Sequence, residues 1–336
     1  MKNHNPTICI CGGGSLGLVC AGVFLSQGLT VNILTGHPEK WNKELIVYDT
    51  DKKCYSGVLN RISGNARDVV SESDIILLCL PGYLIEKTLQ EIKPYLKKEV
   101  LVGSIVASTG FFFIAHEILP KDIELFGFQR VPFIARVREY GHIGDLLGYK
   151  TSLNVVIENS KDCKSTCLTL EKLFQTPVNI LDNYLEVSLS NSNPILHTGR
   201  LYTMWNKDDF QKDHQSLFYS EWTDEASECL IEMDKEFQTL LRKLDIDVIP
   251  PLLDYYESVD AQSLTLKIKS IPAFRDILSP MIKTKEGWLP DFNSRYFTED
   301  FPFGLRYIRD LAHKHGVACP TIDKVYKWGM SKLKLL

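Results

Sequence analysis

The stretch TICICGGGSLG, residues 7–17, decides the fold of this chain. A short apolar run that ends in glycines predicts a β-strand followed by a tight turn. The glycines fit the spacing G-x-G-x-x-G, in which they make the turn, let a pyrophosphate approach the backbone and let a helix pack on the strand. The amino terminus of that helix would face the phosphates. We therefore predict a dinucleotide-binding turn, with cofactor contacts from Gly12, Gly14, Ser15, Leu16 and Gly17.

The chain that follows alternates apolar runs with amphipathic stretches, which is typical of a doubly wound, mostly parallel sheet. Residues 74–80, DIILLCL, form a continuous apolar run of the kind found in strands buried on both faces. Residues 49–55 interrupt the alternation and predict a hairpin or loop insertion. The other predicted strands are 30–34, 100–106, 153–158 and 177–181, and the predicted helices are 16–27, 84–97 and 164–174.

The pattern changes near residue 183, where strands give way to helical spacing. Six apolar residues form one stripe over about four turns of helix, as in a core-facing helix. Residues 303–315 predict another helix. We therefore predict an α/β domain over residues 1–182 and an all-α domain over residues 183–336. The stripe consists of Leu230, Met233, Phe237, Leu240, Leu241 and Leu244.

Composition excludes several classes of protein. The 336 residues are 44% apolar and 24% charged, with a net charge of −4, which is typical of a soluble globular protein. Lysine and arginine are spread along the chain, so we expect no nucleic-acid binding. The sequence predicts neither a signal peptide nor a membrane span, and the nine scattered cysteines predict reduced thiols, so we expect a cytoplasmic protein. The pair Cys163 and Cys167 lacks further ligands nearby, and we expect no metal.

The residues after the second predicted strand bear on the choice of cofactor. An acidic residue at this point usually binds the ribose 2′-hydroxyl of NAD and would repel a 2′-phosphate. This chain has Thr35 there, followed by His37 and Lys40 as further donors. The sequence therefore favours NADP, with NAD as the alternative. Pro81, at the end of the buried strand, would lie near the nicotinamide.

A nicotinamide cofactor needs a protein acid or base to handle the proton that accompanies hydride transfer. His197 and Asp300 are the candidates, because a carboxylate can fix the tautomer of an imidazole and stabilise its charged form. They lie 103 positions apart, so spacing alone allows no pairing. His197 is also compatible with a satisfied core residue, and Asp300 with a helix N-cap.

Three segments together resemble the opine (octopine/nopaline) dehydrogenase family: the glycine turn, NPILH at residues 193–197 and YFTEDFPFGL at residues 296–305. The resemblance implies a Rossmann domain followed by a helical domain like the C-terminal domain of 6-phosphogluconate dehydrogenase, with the active site in the cleft between them. It also implies that His197 and Asp300 form the catalytic dyad. The implied reaction joins an amino acid to a 2-oxo acid and reduces the resulting imine with NAD(P)H.

Carboxylates on both substrates call for arginine in the site, because guanidinium binds them in bidentate fashion. Arg130, which follows an apolar run, is the strongest candidate. Asn193 is a candidate polar contact. The other available side chains are Arg136, Arg200, Arg295, Gln129 and Tyr296.

Two other functions remain open from the sequence. A ketopantoate-reductase-like enzyme would share the architecture, but it uses a lysine as proton donor, and no matching lysine motif is evident. A non-catalytic NADP(H)-binding sensor would keep the glycines but would have no use for His197 and Asp300. The helical domain is a candidate for a homodimer interface, although no heptad-like seam stands out.

Overall fold

The computed structural model describes residues 5–207, 213–285 and 287–333. The chain divides into two compact units, residues 1–188 and residues 189–336. Each unit has its own secondary structure and its own buried residues.

The first unit contains twelve of the strands in the described residues, arranged in two sheets. The larger sheet has eight strands: β1 (Thr7–Cys11), β2 (Thr30–Leu34), β5 (Arg61–Ser63), β6 (Ile75–Leu78), β7 (Leu101–Ser104), β8 (Glu124–Phe128), β11 (Leu153–Glu158) and β12 (Val178–Ile180). Their order is β12-β11-β8-β7-β6-β1-β2-β5, and neighbours are parallel except β8 and β11. The predicted mostly parallel sheet is confirmed.

Helices cover both faces of this sheet. They are α1 (Ser15–Ser26), α2 (Ala66–Val70), α3 (Gly82–Ile92), α4 (Phe111–Ile118) and α5 (Cys163–Phe174), and α6 (Tyr184–Leu189) contains the boundary between the units. Alternate residues of β1 enter the two cores, Ile8 and Ile10 on the side of α1, and Cys9 and Cys11 on the side of α3. Burial on both faces explains why β1 is apolar after Thr7 and why β6 is apolar at every position.

A second, four-stranded sheet covers the outer side of α1. It consists of β3 (Glu44–Asp49), β4 (Cys54–Val58), β9 (Phe133–Glu139) and β10 (Ile143–Tyr149), in the order β4-β3-β10-β9. The predicted hairpin around residues 49–55 is the β3–β4 turn, whereas β9 and β10 were missed by the sequence analysis. Because α1 lies between two sheets, nine of its twelve residues are buried and it has no polar face.

The second unit is helical. Its helices are α7 (Asn193–Trp205), α8 (Asp224–Lys243), α9 (Leu252–Tyr255), α10 (Ala261–Ser270), α11 (Arg295–Thr298), α12 (Arg306–Lys314) and α13 (Pro320–Leu333), with a π-helical turn at Phe301–Leu305. A short hairpin, β13 (Met281–Thr284) and β14 (Gly287–Pro290), accompanies them. The predicted apolar stripe lies on α8, and five of its six residues are buried.

Two further observations concern the cysteines and the helices. All nine cysteines are free thiols, as predicted. Within the three described ranges, no helix combines the length and the apolar character needed to cross a membrane.

Candidate active site

The glycine turn of the first unit joins β1 to α1. Gly12 has φ +115°, and a β-carbon there would lie 2.6 Å from the carbonyl oxygen of Cys79. A β-carbon on Gly17 would collide with the carbonyl oxygen of Gly12. Gly14 differs, because its backbone is extended and a β-carbon there would meet nothing within 4 Å. The protein itself therefore requires the first and third glycines, whereas the second faces open space.

The amino terminus of α1 opens onto this space. Gly14 is its N-cap and supplies no side-chain cap, and the first turn has no acidic residue. Helix geometry leaves the backbone N–H groups of Ser15, Leu16 and Gly17 without intrahelical acceptors. Free N–H groups and the positive end of the helix dipole favour an anion, so these residues fit the pyrophosphate of a dinucleotide.

Thr35 and His37 follow β2 at the same edge of the sheet. Thr35 is buried, donates its backbone N–H to the Ser63 carbonyl oxygen (3.1 Å) and accepts a hydrogen bond from the His37 backbone N–H (3.3 Å). The His37 side chain is exposed and lies 3.5 Å from the Glu39 carboxylate. A neutral hydroxyl thus stands at the end of β2, with a carboxylate four residues later along the chain.

Two other candidates lie at the carboxyl ends of neighbouring strands. Pro81 is the N-cap of α3, just after β6, and exposed Arg130 follows β8. Because β1, β2, β6, β7 and β8 are parallel, these residues lie along the edge that carries the glycine turn. Gln129 is engaged elsewhere, since its side-chain oxygen accepts a hydrogen bond from the Asn154 amide (3.0 Å).

In the second unit, the structure brings His197 and Asp300 together. His197 is a buried residue of α7, and its Nδ1 lies 2.8 Å from Oδ2 of Asp300. Close packing between α7 and the π-helical turn allows this approach, because a β-carbon on Gly304 would lie 2.6 Å from Pro194. Two segments that are 103 positions apart in sequence therefore supply one hydrogen-bonded pair.

Asp300 stands at the N-cap position of the π-helical turn, as the alternative prediction had it. Its side chain makes no capping hydrogen bond there, and its carboxylate is hydrogen-bonded to the imidazole of His197 instead.

Tyr219 completes the surroundings of His197 and was missed by the sequence analysis. Its hydroxyl oxygen lies 2.9 Å from Nε2 of His197, so both ring nitrogens have protein partners. Burial raises the pKa of Tyr219 far above its usual range, with further contributions from Tyr296, Tyr256 and Asp300. The Tyr296 ring lies 4.7 Å from the imidazole, and burial, with Asp300 nearby, raises its pKa as well.

Arg200 is hydrogen-bonded to main-chain carbonyl groups. It is buried, and its guanidinium donates to the carbonyl oxygens of Phe218 (3.2 Å) and Glu221 (2.6 Å). Burial lowers its pKa to about 10. The expectation that Arg200 is available to a substrate carboxylate is wrong, because it fastens the segment that carries Tyr219 to α7.

The other polar candidates are placed as follows. Asn193 is the first residue of α7, and its backbone N–H donates to Oδ1 of Asn191 (3.2 Å). Arg295 is exposed at the start of α11. Arg136 lies on β9, in the second sheet, and donates to the carbonyl oxygen of Ala135 (2.9 Å).

One group of three side chains in the described ranges has donor atoms close enough to hold a metal ion: His313, Cys319 and Asp323. The Asp323 carboxylate already accepts hydrogen bonds from Arg309 (2.6 Å) and His313 (3.1 Å). A guanidinium at this position repels a cation, so the cluster is better described as an ion-pair network.

Comparisons with known proteins agree with this architecture. Residues 180–333 match the family described as NAD/NADP octopine/nopaline dehydrogenase, alpha-helical domain, and residues 8–118 match ketopantoate reductase PanE/ApbA. Octopine dehydrogenase of Mizuhopecten yessoensis is 25% identical, over 97% of this chain and 90% of its own length. Tauropine dehydrogenase of Arabella iricolor is 26% identical, over 95% of this chain and 89% of its own length.

Solved structures show the same fold. The octopine dehydrogenase complex with NADH and L-arginine has a TM-score of 0.88 at 23% identity, covering 98% of this chain and 90% of that one. NADP⁺-bound yersinopine dehydrogenase has a TM-score of 0.73 at 15% identity, covering 100% of this chain and 92% of that one. A Rossmann-type unit followed by a helical unit is thus the arrangement that this chain shares with these dehydrogenase structures. The chain is similar to octopine and tauropine dehydrogenases over nearly its whole length, and its helical unit matches the octopine/nopaline dehydrogenase model.

Proposed function

We propose that this chain joins an amino acid to a 2-oxo acid and reduces the resulting imine, with His197 as acid and base. Similarity to octopine and tauropine dehydrogenases supports the broader proposal of opine-dehydrogenase-type activity. The observation that carries the finer proposal is the 2.8 Å hydrogen bond between His197 and Asp300. Residues 1–182 would bind the nucleotide, and residues 183–336 would supply the proton chemistry.

The reaction requires protons at defined steps. The amine nitrogen attacks the carbonyl carbon of the oxo acid and a C–N bond forms. The former carbonyl oxygen takes one proton from that nitrogen and a second from an acid, and it leaves as water, which gives a protonated imine. A bound nicotinamide nucleotide would supply hydride to the carbon of the protonated imine, whose nitrogen thereby becomes a neutral secondary amine. Protonated His197 would donate the proton to the leaving oxygen, while the Asp300 carboxylate would stabilise the imidazolium.

The cofactor would lie along the carboxyl edge of the large sheet. The open space at Gly14 and the free N–H groups of α1 support binding of the pyrophosphate there. Thr35 in place of a carboxylate supports NADP over NAD, because a 2′-phosphate would meet a neutral hydroxyl. The proposed cofactor contacts are Gly12, Gly14, Ser15, Leu16, Gly17, Thr35, His37 and Pro81.

The substrates would be small carboxylates. Arg130 would bind one carboxylate, because it is exposed at the edge that carries the cofactor turn, and Asn193 would add a polar contact. Octopine dehydrogenase has been solved with L-arginine, with pyruvate and with agmatine, each together with NADH. These pairs provide the first compounds to test.

The decisive experiment follows oxidation of NADPH and NADH against a matrix of 2-oxo acids, each with and without amino acids. Turnover that requires both partners supports the proposal. Turnover with an oxo acid alone would instead indicate a ketopantoate-reductase-like or hydroxy-acid dehydrogenase, in line with the match over residues 8–118. Mass spectrometry of the product, which should contain a new secondary amine, separates these outcomes.

A further inference from the structure

Both nitrogens of the His197 ring are hydrogen-bonded, which fixes the direction of each bond. Asp300 offers a carboxylate, which accepts, so Nδ1 of His197 carries a hydrogen. A neutral imidazole has one such hydrogen, and Nε2 is then a bare acceptor. The hydroxyl of Tyr219, 2.9 Å away, must therefore be the donor to Nε2. The described hydrogen-bonded chain runs from Tyr219 through His197 to Asp300.

Tyr219 has little freedom to leave this position. Its ring stacks on Phe274, at 4.1 Å and 15°, and on Trp222, at 5.9 Å and 6°. The residue is only 4% exposed. Arg200 fastens the same segment by donating to the carbonyl oxygens of Phe218 and Glu221. Tyr219 is therefore a fixed neighbour of Nε2, and its phenol stays protonated because burial raises its pKa.

We propose that Tyr219 is a positioning residue for His197. Its hydroxyl, acting from the Nε2 side while Asp300 acts from the Nδ1 side, holds the imidazole in one orientation and one neutral tautomer. The basic lone pair is thereby kept on Nε2. The role of this tautomer in turnover rests on the proposed function, whereas the tautomer itself does not.

Tyr219 is the described residue whose hydroxyl lies at Nε2, and the other groups around the ring contact it elsewhere. Asp300 is the charged group in contact with the imidazole among the described residues, and it engages Nδ1. Tyr296 and Phe218 face the ring through their own rings, at centroid distances of 4.7 and 5.7 Å. When Nε2 takes a proton, the Tyr219 hydroxyl can reverse and accept from it. For His197 to act as the acid of the proposed reaction, the leaving oxygen of the substrate would share this N–H with Tyr219.

The substitution Tyr219→Phe removes the hydroxyl and keeps the stacked ring. We expect kcat to fall by about tenfold, the value of one lost hydrogen bond, with KM for both substrates within about twofold of the parent. Combined with His197→Asn, the same change should lower kcat by less than about twofold further, because Tyr219 acts through His197. A tenfold loss in both backgrounds would overturn the proposal in favour of a merely structural role.

A spectroscopic measurement tests the tautomer without any turnover. In ¹⁵N-labelled protein, with His197 assigned by comparison with His197→Asn, the neutral form should have its proton on Nδ1 and a hydrogen-bonded Nε2. Tyr219→Phe should move the Nε2 signal toward that of a free lone pair. An unchanged Nε2 signal, or a proton on Nε2 in the parent, would overturn the proposal even if the proposed reaction were correct.

Tyr256→Phe is the matched control. Tyr256 is also buried, and burial raises its pKa to about 12, yet it acts on Tyr219 only through its electrostatic effect. We expect its kcat within about twofold of the parent and no change in the His197 signals. If no substrate pair led to oxidation of NADPH or NADH, that result would count against the proposed function alone. The ¹⁵N experiment would still test whether Tyr219 donates a hydrogen bond to Nε2 of His197.

Discussion

The candidate sites of the two units consist of different chemical groups. In the first unit, the candidate site is main chain: free N–H groups at the start of α1, and a glycine at residue 14 where a side chain would fill open space. In the second unit, the site is made of side chains from three separate segments, His197, Tyr219 and Asp300. A site of local backbone can be read from six consecutive residues, whereas a site of distant side chains depends on tertiary packing. Mutations in these two sites should therefore have different effects on binding, turnover and stability.

The largest effect is expected in the second unit. His197→Asn removes the proposed acid and base, and kcat should fall by about a thousandfold because proton transfer by a positioned side chain contributes 10² to 10⁴. The dissociation constant for NADPH should stay within about threefold, because the glycine turn is intact. Steady-state kinetics and fluorescence titration of NADPH measure the two quantities separately.

His313→Asn is the control for this change. His313 is also hydrogen-bonded to an aspartate, Asp323 at 3.1 Å, but it lies on the surface of the same unit. Its kcat should remain within about twofold of the parent. If both histidine variants lost activity equally, the special role of His197 would be contradicted.

The complementary change lies in the first unit. Gly14→Val places a side chain in open space at an extended backbone position, so the fold should tolerate it. The same side chain would occupy the space of the pyrophosphate, and the dissociation constant for NADPH should rise by about a hundredfold, or about 2.7 kcal/mol. Thermal unfolding should be unchanged, which distinguishes a lost binding surface from a lost fold.

Gly12→Ala sharpens the contrast within the same turn. Gly12 has φ +115° and faces the Cys79 carbonyl oxygen, so we expect this variant to lose about 3 kcal/mol of stability. Denaturant unfolding should then separate Gly12→Ala from Gly14→Val. Equal stability of the two variants would show that the turn relaxes around an added methyl group.

The smallest effect concerns the choice of cofactor. Thr35→Asp introduces the carboxylate that binds a ribose 2′-hydroxyl and repels a 2′-phosphate, so the preference for NADPH over NADH should fall by about tenfold. Thr35→Asn, which is similar in shape and neutral, should change the ratio by less than about twofold. The ratio of kcat/KM for NADPH to that for NADH measures this preference. An unaltered ratio in Thr35→Asp would show that residue 35 does not contact the ribose.

Features formed by consecutive residues were predicted more accurately than features formed by residues far apart in the sequence. Long apolar runs and the glycine turn are local signals, and the predicted strand at residues 153–158 coincides with β11. Strands β9 and β10 were missed because they contain no continuous apolar run: half of their residues face outward, including the charged Arg136 and Arg138 of β9. The partner β3 of β10 lies nearly a hundred residues earlier in the chain, so no local pattern indicates the pairing.

Sites made of distant side chains show more clearly what cannot be predicted from the sequence. His197 and Asp300 were selected on chemistry and on resemblance to a family, and spacing could not pair them. Nothing near Tyr219 distinguishes it from the aromatic residues around it, since its contact with His197 depends on how residues 217–222 fold against α7. Arg200 was misjudged for the same reason, because the carbonyl groups that it binds are supplied by that segment.

The pairing of β3 with β10 has a consequence for the order in which the nascent chain can fold. Ile46 aligns with Ile143, so the outer cover of α1 is incomplete until residue 149 has left the ribosome. Until then, an apolar helix that is later enclosed between two sheets stays exposed, a state that favours aggregation and chaperone binding. A fragment that ends near residue 118, where the match to ketopantoate reductase stops, would contain the whole glycine turn and still lack half of the cover over its helix.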